Sequence, residues 1–231
     1  MTDATRRPDT TERSDAEKRA AAAAAAALVE DGSAVGLGTG STVAHFLPAL
    51  AARGLLLRCV ATSAATETQA GELGIAVEPF AGTLGRLDVA VDGADQISPE
   101  LWLVKGGGGA HTREKIVAAA AARFVVIVSS DKLVERIGPP VPLELLSFGL
   151  PATLRRLAAL GPVRIREAPP TPDGGVVADY LGEVGDPAAL AAELAAVPGV
   201  VEHGLFPPRL VSEVLVGAAD GSVRRLGPAH D

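Results

Sequence analysis

The residues best equipped for chemistry fall in two short segments. Asp92-Gly93-Ala94-Asp95 sets two carboxylates directly after an apolar run, and Lys105-Gly106-Gly107-Gly108-Gly109 is followed by Glu114. Two acids so close suit metal ligation, the binding of sugar hydroxyls, or a pair with divided protonation, while the plainer alternative is an Asx turn whose acid caps the next element. No histidine or third acid in a neighbouring loop completes a metal set, so sugar hydroxyls are the better partner. Four consecutive glycines are costly, because glycine loses more freedom on folding than any other residue. They imply bare backbone approaching a ligand, against the alternative of a flexible linker. Glu114 falls in the first turn of a helix expected over 112–122, where the helix dipole favours an acid. There it is either a cap or a base that projects back toward the glycines.

A third segment, Gly36-Leu37-Gly38-Thr39-Gly40-Ser41-Thr42, joins an apolar run to a helical one. Free N–H groups and the dipole of a starting helix favour an anion there, and the hydroxyls add donors. A tight turn with a Ser/Thr cap is the structural alternative. The glycine spacing is not that of a dinucleotide fingerprint, no acid follows the next apolar run to hold a ribose, and no Gly-Lys-Ser/Thr makes a P-loop. A nicotinamide oxidoreductase is therefore disfavoured. Of 21 basic residues only Lys18, Lys105, Lys115 and Lys132 are lysines. A chain that otherwise uses arginine has kept these few places for a compact ammonium. Lys18 and Lys132 are expected to contact phosphate, and Lys115, beside Glu114 but pointing elsewhere, to be structural. His45, His111 and His203 lack metal spacing and read as packing or surface residues.

These segments need a frame that brings them together. Apolar runs of strand length at 34–37, 55–60, 87–91 and 124–128 alternate with helical stretches at 43–52, 66–73 and 112–122, after an alanine-rich helix over 15–30 with Asp15 as its N-cap. Such alternation predicts an α/β fold with a parallel sheet, and ligands bind at the carboxyl ends of its strands. Segments 39–42, 62–66, 92–95 and 129–132 should then open on one edge. Past residue 138 prolines break the chain, and a helix at 151–160, strands at 162–166 and 176–181, a helix at 187–196, and strands at 200–206 and 210–216 suit a smaller α+β unit. Residues 1–14 read as a disordered tail.

Composition removes other function classes. With 231 residues and 48% of them hydrophobic, the chain can bury an ordinary core. No uncharged apolar run reaches the length of a membrane helix, and the first residues lack a secretory pattern, so a cytoplasmic protein without a membrane partner is expected. The single Cys59 offers neither a disulfide nor a zinc spacing. A net charge of -7 argues against nucleic acid as a partner, although a local basic pocket can still hold a small anion.

The motifs GLGTGST, TSAAT, DGAD, KGGGGAHTREK, SSDKLVERIG, PVPLEL and PGVVEHGLF, in this order from about Lys18 to the C-terminus, resemble ribose-5-phosphate isomerase, type A. The resemblance implies an aldose-ketose isomerase of the pentose phosphate pathway that needs neither cofactor nor metal. It would interconvert D-ribose 5-phosphate and D-ribulose 5-phosphate through an enediolate. The implied fold is a Rossmann-like parallel-sheet domain, here 15–138 plus about 208–231, with a small α+β domain at 139–207, in a homodimer or homotetramer. By position, Glu114 matches the general base. Asp92, Asp95 and Lys105 match the groups that handle sugar hydroxyls, ring opening and the oxyanion. Lys18, Thr39, Gly40, Ser41, Thr42 and Lys132 match substrate and phosphate contacts, joined by Gly93, Ala94, Gly106, Gly107 and Gly108 of the same loops. His111 replaces a usually apolar residue, and Ser129-Ser130-Asp131 replaces a usual Asp-x-Ser. These departures define one alternative, an isomerase of another sugar phosphate. A second, a non-catalytic sugar-phosphate sensor, would need a DNA-binding unit for which 14 polar residues are too few, and would have no use for Glu114 beside two aspartates and Lys105.

Overall fold

The computed structural model describes residues 10–81 and 84–228. Its elements run α1 (Thr10–Ala27), β1 (Ala34–Leu37), α2 (Val43–Ala51), β2 (Arg58–Ala61), α3 (Ala64–Glu72), β3 (Leu87–Asp92), β4 (Gln96–Ile97), β5 (Leu103–Val104), α4 (His111–Ala120) and β6 (Ala121–Ser129). After a 3-10 turn at Ser130–Lys132 come β7 (Val141–Leu145), α5 (Leu150–Leu157), β8 (Val163–Ile165), β9 (Val176–Tyr180), α6 (Pro187–Ala195), β10 (Val200–His203), β11 (Leu205–Phe206), β12 (Glu213–Gly217) and β13 (Val223–Leu226).

Three sheets result. The largest has the order β13-β12-β6-β3-β1-β2, parallel throughout except for β13 at its edge. Its strands are apolar because helices cover both faces, and Phe124 to Val128 of β6 are all buried. Truncating Phe124 to alanine should cost about 3–5 kcal/mol. On one face lies α1, whose Ala21, Ala22, Ala25 and Ala26 are fully shielded and pack on β6 and β12. Such small side chains allow a very close approach: a Cβ on Gly217 of β12 would fall 1.8 Å from the Glu17 carbonyl oxygen. The second sheet, β10-β7-β9-β8, is antiparallel, and β11-β5-β4 forms a short third. The chain thus leaves the parallel sheet after β6, builds the antiparallel one, and returns through β12.

The structure moves several expected boundaries. α1 begins at Thr10, so Asp15 lies inside the helix instead of capping it, and residues 10–14 are helical where a tail was expected. Glu12 and the Arg13–Glu17 pair at 3.0 Å favour helix over this segment. Residues 1–9 of the expected tail lie outside the described residues. β2 starts at Arg58: of the expected run Leu56 is exposed and Leu55 and Leu57 are only partly buried, while Cys59 and Val60 are fully buried. The expected strand over 200–206 is two strands, broken at Gly204, with β10 pairing β7 and β11 pairing β5. Strands β4, β5, β7 and β13 were not foreseen: two are dipeptides, β7 contains Pro142, and β13 is an edge strand with exposed Arg224 and Arg225. Among the described residues no helix is long and apolar enough to cross a membrane.

Candidate active site

The loops after β1, β3 and β6 meet the glycine loop after β5 around a cleft of about 150 Å³. Thr39, Gly40, Ser41, Thr42, Gly93, Ala94, Asp95, Lys105, Gly106, Gly107, Gly108, Glu114 and Lys132 line it. Every residue expected at the site is therefore present in the lining except Asp92 and Lys18.

Asp92 lies beneath the surface and organises the centre. Its Oδ1 accepts from the N–H of Gly93 at 2.7 Å and of Thr39 at 3.1 Å, joining two loops. Its Oδ2 is 3.0 Å from Lys105 Nζ. Gly38 makes this contact possible, since a Cβ there would stand 2.1 Å from the Asp92 carboxyl carbon. Lys105 also donates to the Gly93 carbonyl at 2.5 Å, and its Nζ lies 5.6 Å from the centre of the Phe206 ring. Lys105 follows β5, and its backbone N–H bonds the Gly204 carbonyl at 2.9 Å, so the break between β10 and β11 helps to place it.

Glu114 comes from the first turn of α4, and its Oε2 lies 3.3 Å from Lys105 Nζ. That oxygen is buried, and no group other than the ammonium stands as a partner for it. Burial, and then the nearby charge of Asp92, raise the Glu114 carboxyl to about 8 despite Lys105. Burial raises Asp92 as well, against the pull of Lys105 and the two amides. For Lys105, burial lowers the ammonium, but the charges of Asp92 and Glu114 outweigh it and hold it above its ordinary value. Two carboxyls thus share one ammonium in a dry place, and burial favours the protonated form of both.

The anion end is built from main chain. Among the described residues the N–H groups of Gly40, Ser41 and Thr42 bond no protein acceptor. They stand at the start of α2, where the helix dipole favours negative charge. Behind them Thr39 Oγ1 lies 2.7 Å from Thr62 Oγ1 and 2.9 Å from Ser63 Oγ, and Thr66 Oγ1 donates to the Gly38 carbonyl at 2.8 Å. These hydroxyls of the segment after β2 pin the first loop from behind. Lys132 ends the turn after β6, with Nζ 3.1 Å from Asp131. Among the described residues no three His, Cys, Asp or Glu side chains stand together as a metal set.

Lys18 lies on α1, partly buried, with Nζ 3.9 Å from Asp15 Oδ1 and outside the lining. Lys115 is structural as expected, with Nζ 2.6 Å from Glu202 Oε1 and bonded to the His203 carbonyl. His111 and His203 are packed in the interior, and burial pushes both down to about 4.

Two contributors escaped the sequence. Glu17 of α1 is buried and accepts from both the N–H and the hydroxyl of Ser130 at 2.8 Å, anchoring the turn that carries Lys132. Its signal was its place four and eight residues before Ala21 and Ala25, on the buried stripe of the helix. Arg166, beyond β8, reaches the carbonyls of Gly106 and Gly107, and nothing local in the sequence marked it.

Residues 58–221 match the family described as ribose 5-phosphate isomerase A (phosphoriboisomerase A). The chain belongs to this family. It is 48% identical over 212 residues to the ribose-5-phosphate isomerase A of Roseiflexus castenholzii, covering 84% of this chain and 88% of the relative. To that of Caulobacter sp. strain K31 it is 47% identical over 223 residues, covering 91% and 98%. Among solved structures, ribose 5-phosphate isomerase A from Neisseria gonorrhoeae superposes with a TM-score of 0.88 at 32% identity, covering 94% of this chain and 98% of that one. The expected α/β fold around a central parallel sheet is the fold of these family members.

Proposed function

We propose that the protein interconverts D-ribose 5-phosphate and D-ribulose 5-phosphate, with Glu114 as the base. The observation that carries this reading is the buried Oε2 of Glu114 at the wall of the cleft, 3.3 Å from the Lys105 ammonium and with no other partner. Family membership supports it, and one solved relative, 33% identical with a TM-score of 0.84, is in complex with phospho-erythronic acid.

In the proposed reaction the phosphate ester sits on the N–H groups of Gly40, Ser41 and Thr42 with Lys132 beside it. Asp95 holds sugar hydroxyls and assists ring opening. Glu114 removes the C2 proton of the open aldose, and the C1–C2 bond gains double character as the electron pair moves to the carbonyl oxygen. Lys105 faces the charge that develops there, already in place and needing no reorganisation. Glu114 then returns the proton to C1, while a proton passes between the two oxygens, and the ketose is complete. Asp92 keeps Lys105 charged and oriented. An ordinary carboxylate is weak for this task, and its raised pKa brings it near the working pH. The proposal takes the enzyme as a cytoplasmic homodimer or homotetramer, on the family resemblance, with 139–207 as its smaller domain.

The test is Glu114→Gln assayed with ribose 5-phosphate. Turnover should fall by about 10²- to 10⁴-fold with KM little changed. Near-normal turnover would remove Glu114 from the role. A panel of aldose phosphates in the same assay separates this activity from that of an isomerase for another sugar phosphate.

A further inference from the structure

Within the glycine loop, one peptide unit is held at both ends. The Gly106 carbonyl accepts from Arg166 Nη1 at 2.9 Å, and the Gly107 N–H of that same unit donates to Asp95 Oδ2 at 2.8 Å. Arg166 Nη1 also reaches the Gly107 carbonyl at 2.9 Å. The rest of the guanidinium is committed to Asp179 on β9, with Nε 3.1 Å from both carboxylate oxygens and Nη2 2.6 Å from Oδ1. Asp179 is buried. Arg166 is thus fixed on the antiparallel sheet and extends across to the loop beside Lys105.

The physical need is plain. Gly106 has φ +104°, a region that glycine enters freely, and unbranched glycine peptides rotate with little steric penalty. Rotating this unit would turn its carbonyl toward the Asp95 carboxylate, which it would repel, in place of the N–H that now holds it. Only a fork with several donors in one plane can satisfy two carbonyls and a carboxylate together, and lysine cannot reproduce it.

We infer that Arg166, held by Asp179, is a positioning residue that fixes the Gly106–Gly107 peptide unit and through it the Asp95 carboxylate. The inference rests on the isomerase reading. Loss of the clamp leaves the phosphate end intact, so the damage belongs in turnover.

The experiment measures kcat and KM for ribose 5-phosphate with Arg166→Ala, Arg166→Lys, Asp179→Asn and Asp95→Asn, together with the Arg166→Ala/Asp95→Asn double variant. Arg166→Ala should lower kcat by about 10- to 100-fold, the scale of a misplacement of about 1 Å, with KM nearly unchanged. Millimolar guanidinium chloride should restore part of that activity and none to Glu114→Gln, and Arg166→Lys should not recover it. Because Arg166 acts through Asp95, the effect of Arg166→Ala should shrink in the Asp95→Asn background. Wild-type kcat in Arg166→Ala, or full additivity with Asp95→Asn, overturns the inference. If Arg166→Ala fails to fold, Asp179→Asn takes its place: a lowered kcat at normal KM supports the clamp, and unchanged kcat rejects it. An active Glu114→Gln would instead mark failure of the isomerase reading itself.

Discussion

Glu114 Oε2 and Lys105 Nζ lie 3.3 Å apart, both buried, and no other group stands as a partner for that oxygen. The carboxyl is close enough to feel the ammonium and free enough to accept a proton from elsewhere. Its raised pKa of about 8 gives a direct prediction for the free enzyme. kcat/KM should rise with pH through a single ionisation near 8, as Glu114 becomes the ionised base. A pH–rate profile that is flat from about 6 to 9 would contradict this assignment.

The same shift sets a stability cost. Unfolding returns Glu114 to its ordinary value near 4.5, so the folded form holds the extra proton. Its contribution is fully present below that value and is lost as pH rises toward 8. Glu114→Gln should therefore melt higher than the parent at pH 8, by a margin that vanishes near pH 4. Thermal melts of both proteins across this range provide the check, and an equal or lower melting temperature at pH 8 counts against it.

Lys132→Ala should raise KM about tenfold or more while kcat changes little, since one charge-assisted hydrogen bond contributes about 1.5–3 kcal/mol. An unchanged KM would argue against a phosphate contact.

Glu17→Ala should raise KM in the same direction although Glu17 touches no substrate, because the Ser130 N–H and hydroxyl lose their acceptor. It should also cost about 1–3 kcal/mol of stability for the donors left unpaired. Denaturant melts and inhibition by inorganic phosphate measure the two effects separately, and a variant with parental phosphate inhibition would disconnect Glu17 from the anion end.

Gly38→Ala tests the packing of the first loop on Asp92. The added carbon would stand 2.1 Å from the Asp92 carboxyl carbon, so loop or carboxylate must move. A loss of about 1–3 kcal/mol and a marked fall in kcat are expected. Parental kinetics in that variant would show that Asp92 need not hold its present place.

The lining of the cleft was legible because its residues lie in loops of unusual composition: glycine runs, paired acids and rare lysines have few structural uses. The strands β1 and β3 were legible because burial on both faces leaves short apolar runs, interrupted in β3 only by the exposed Asp88. Residues that support the site from a distance were harder to find. Glu17 meets a turn more than a hundred residues away, and Arg166 crosses between sheets, so neither pairing has a local signature. The dipeptide strands β4 and β5 are too short for any periodicity, and the run Leu55 to Leu57, with Leu56 exposed and its neighbours partly buried, shows that apolar content alone does not make a strand. Lys18 shows the reverse: its type and rarity suggested the cleft, while the helix that carries it leaves it outside the lining.

The break at Gly204 bears on how the molecule can move. Its carbonyl receives the Lys105 amide at 2.9 Å, and its own amide bonds Pro142 of β7 at 2.7 Å. One glycine therefore couples the reactive ammonium to the antiparallel sheet by main chain alone. Any sliding of that sheet would drag the ammonium away from its two carboxyl neighbours, so these bonds favour catalysis on a stationary floor, with substrate freedom left to the open side.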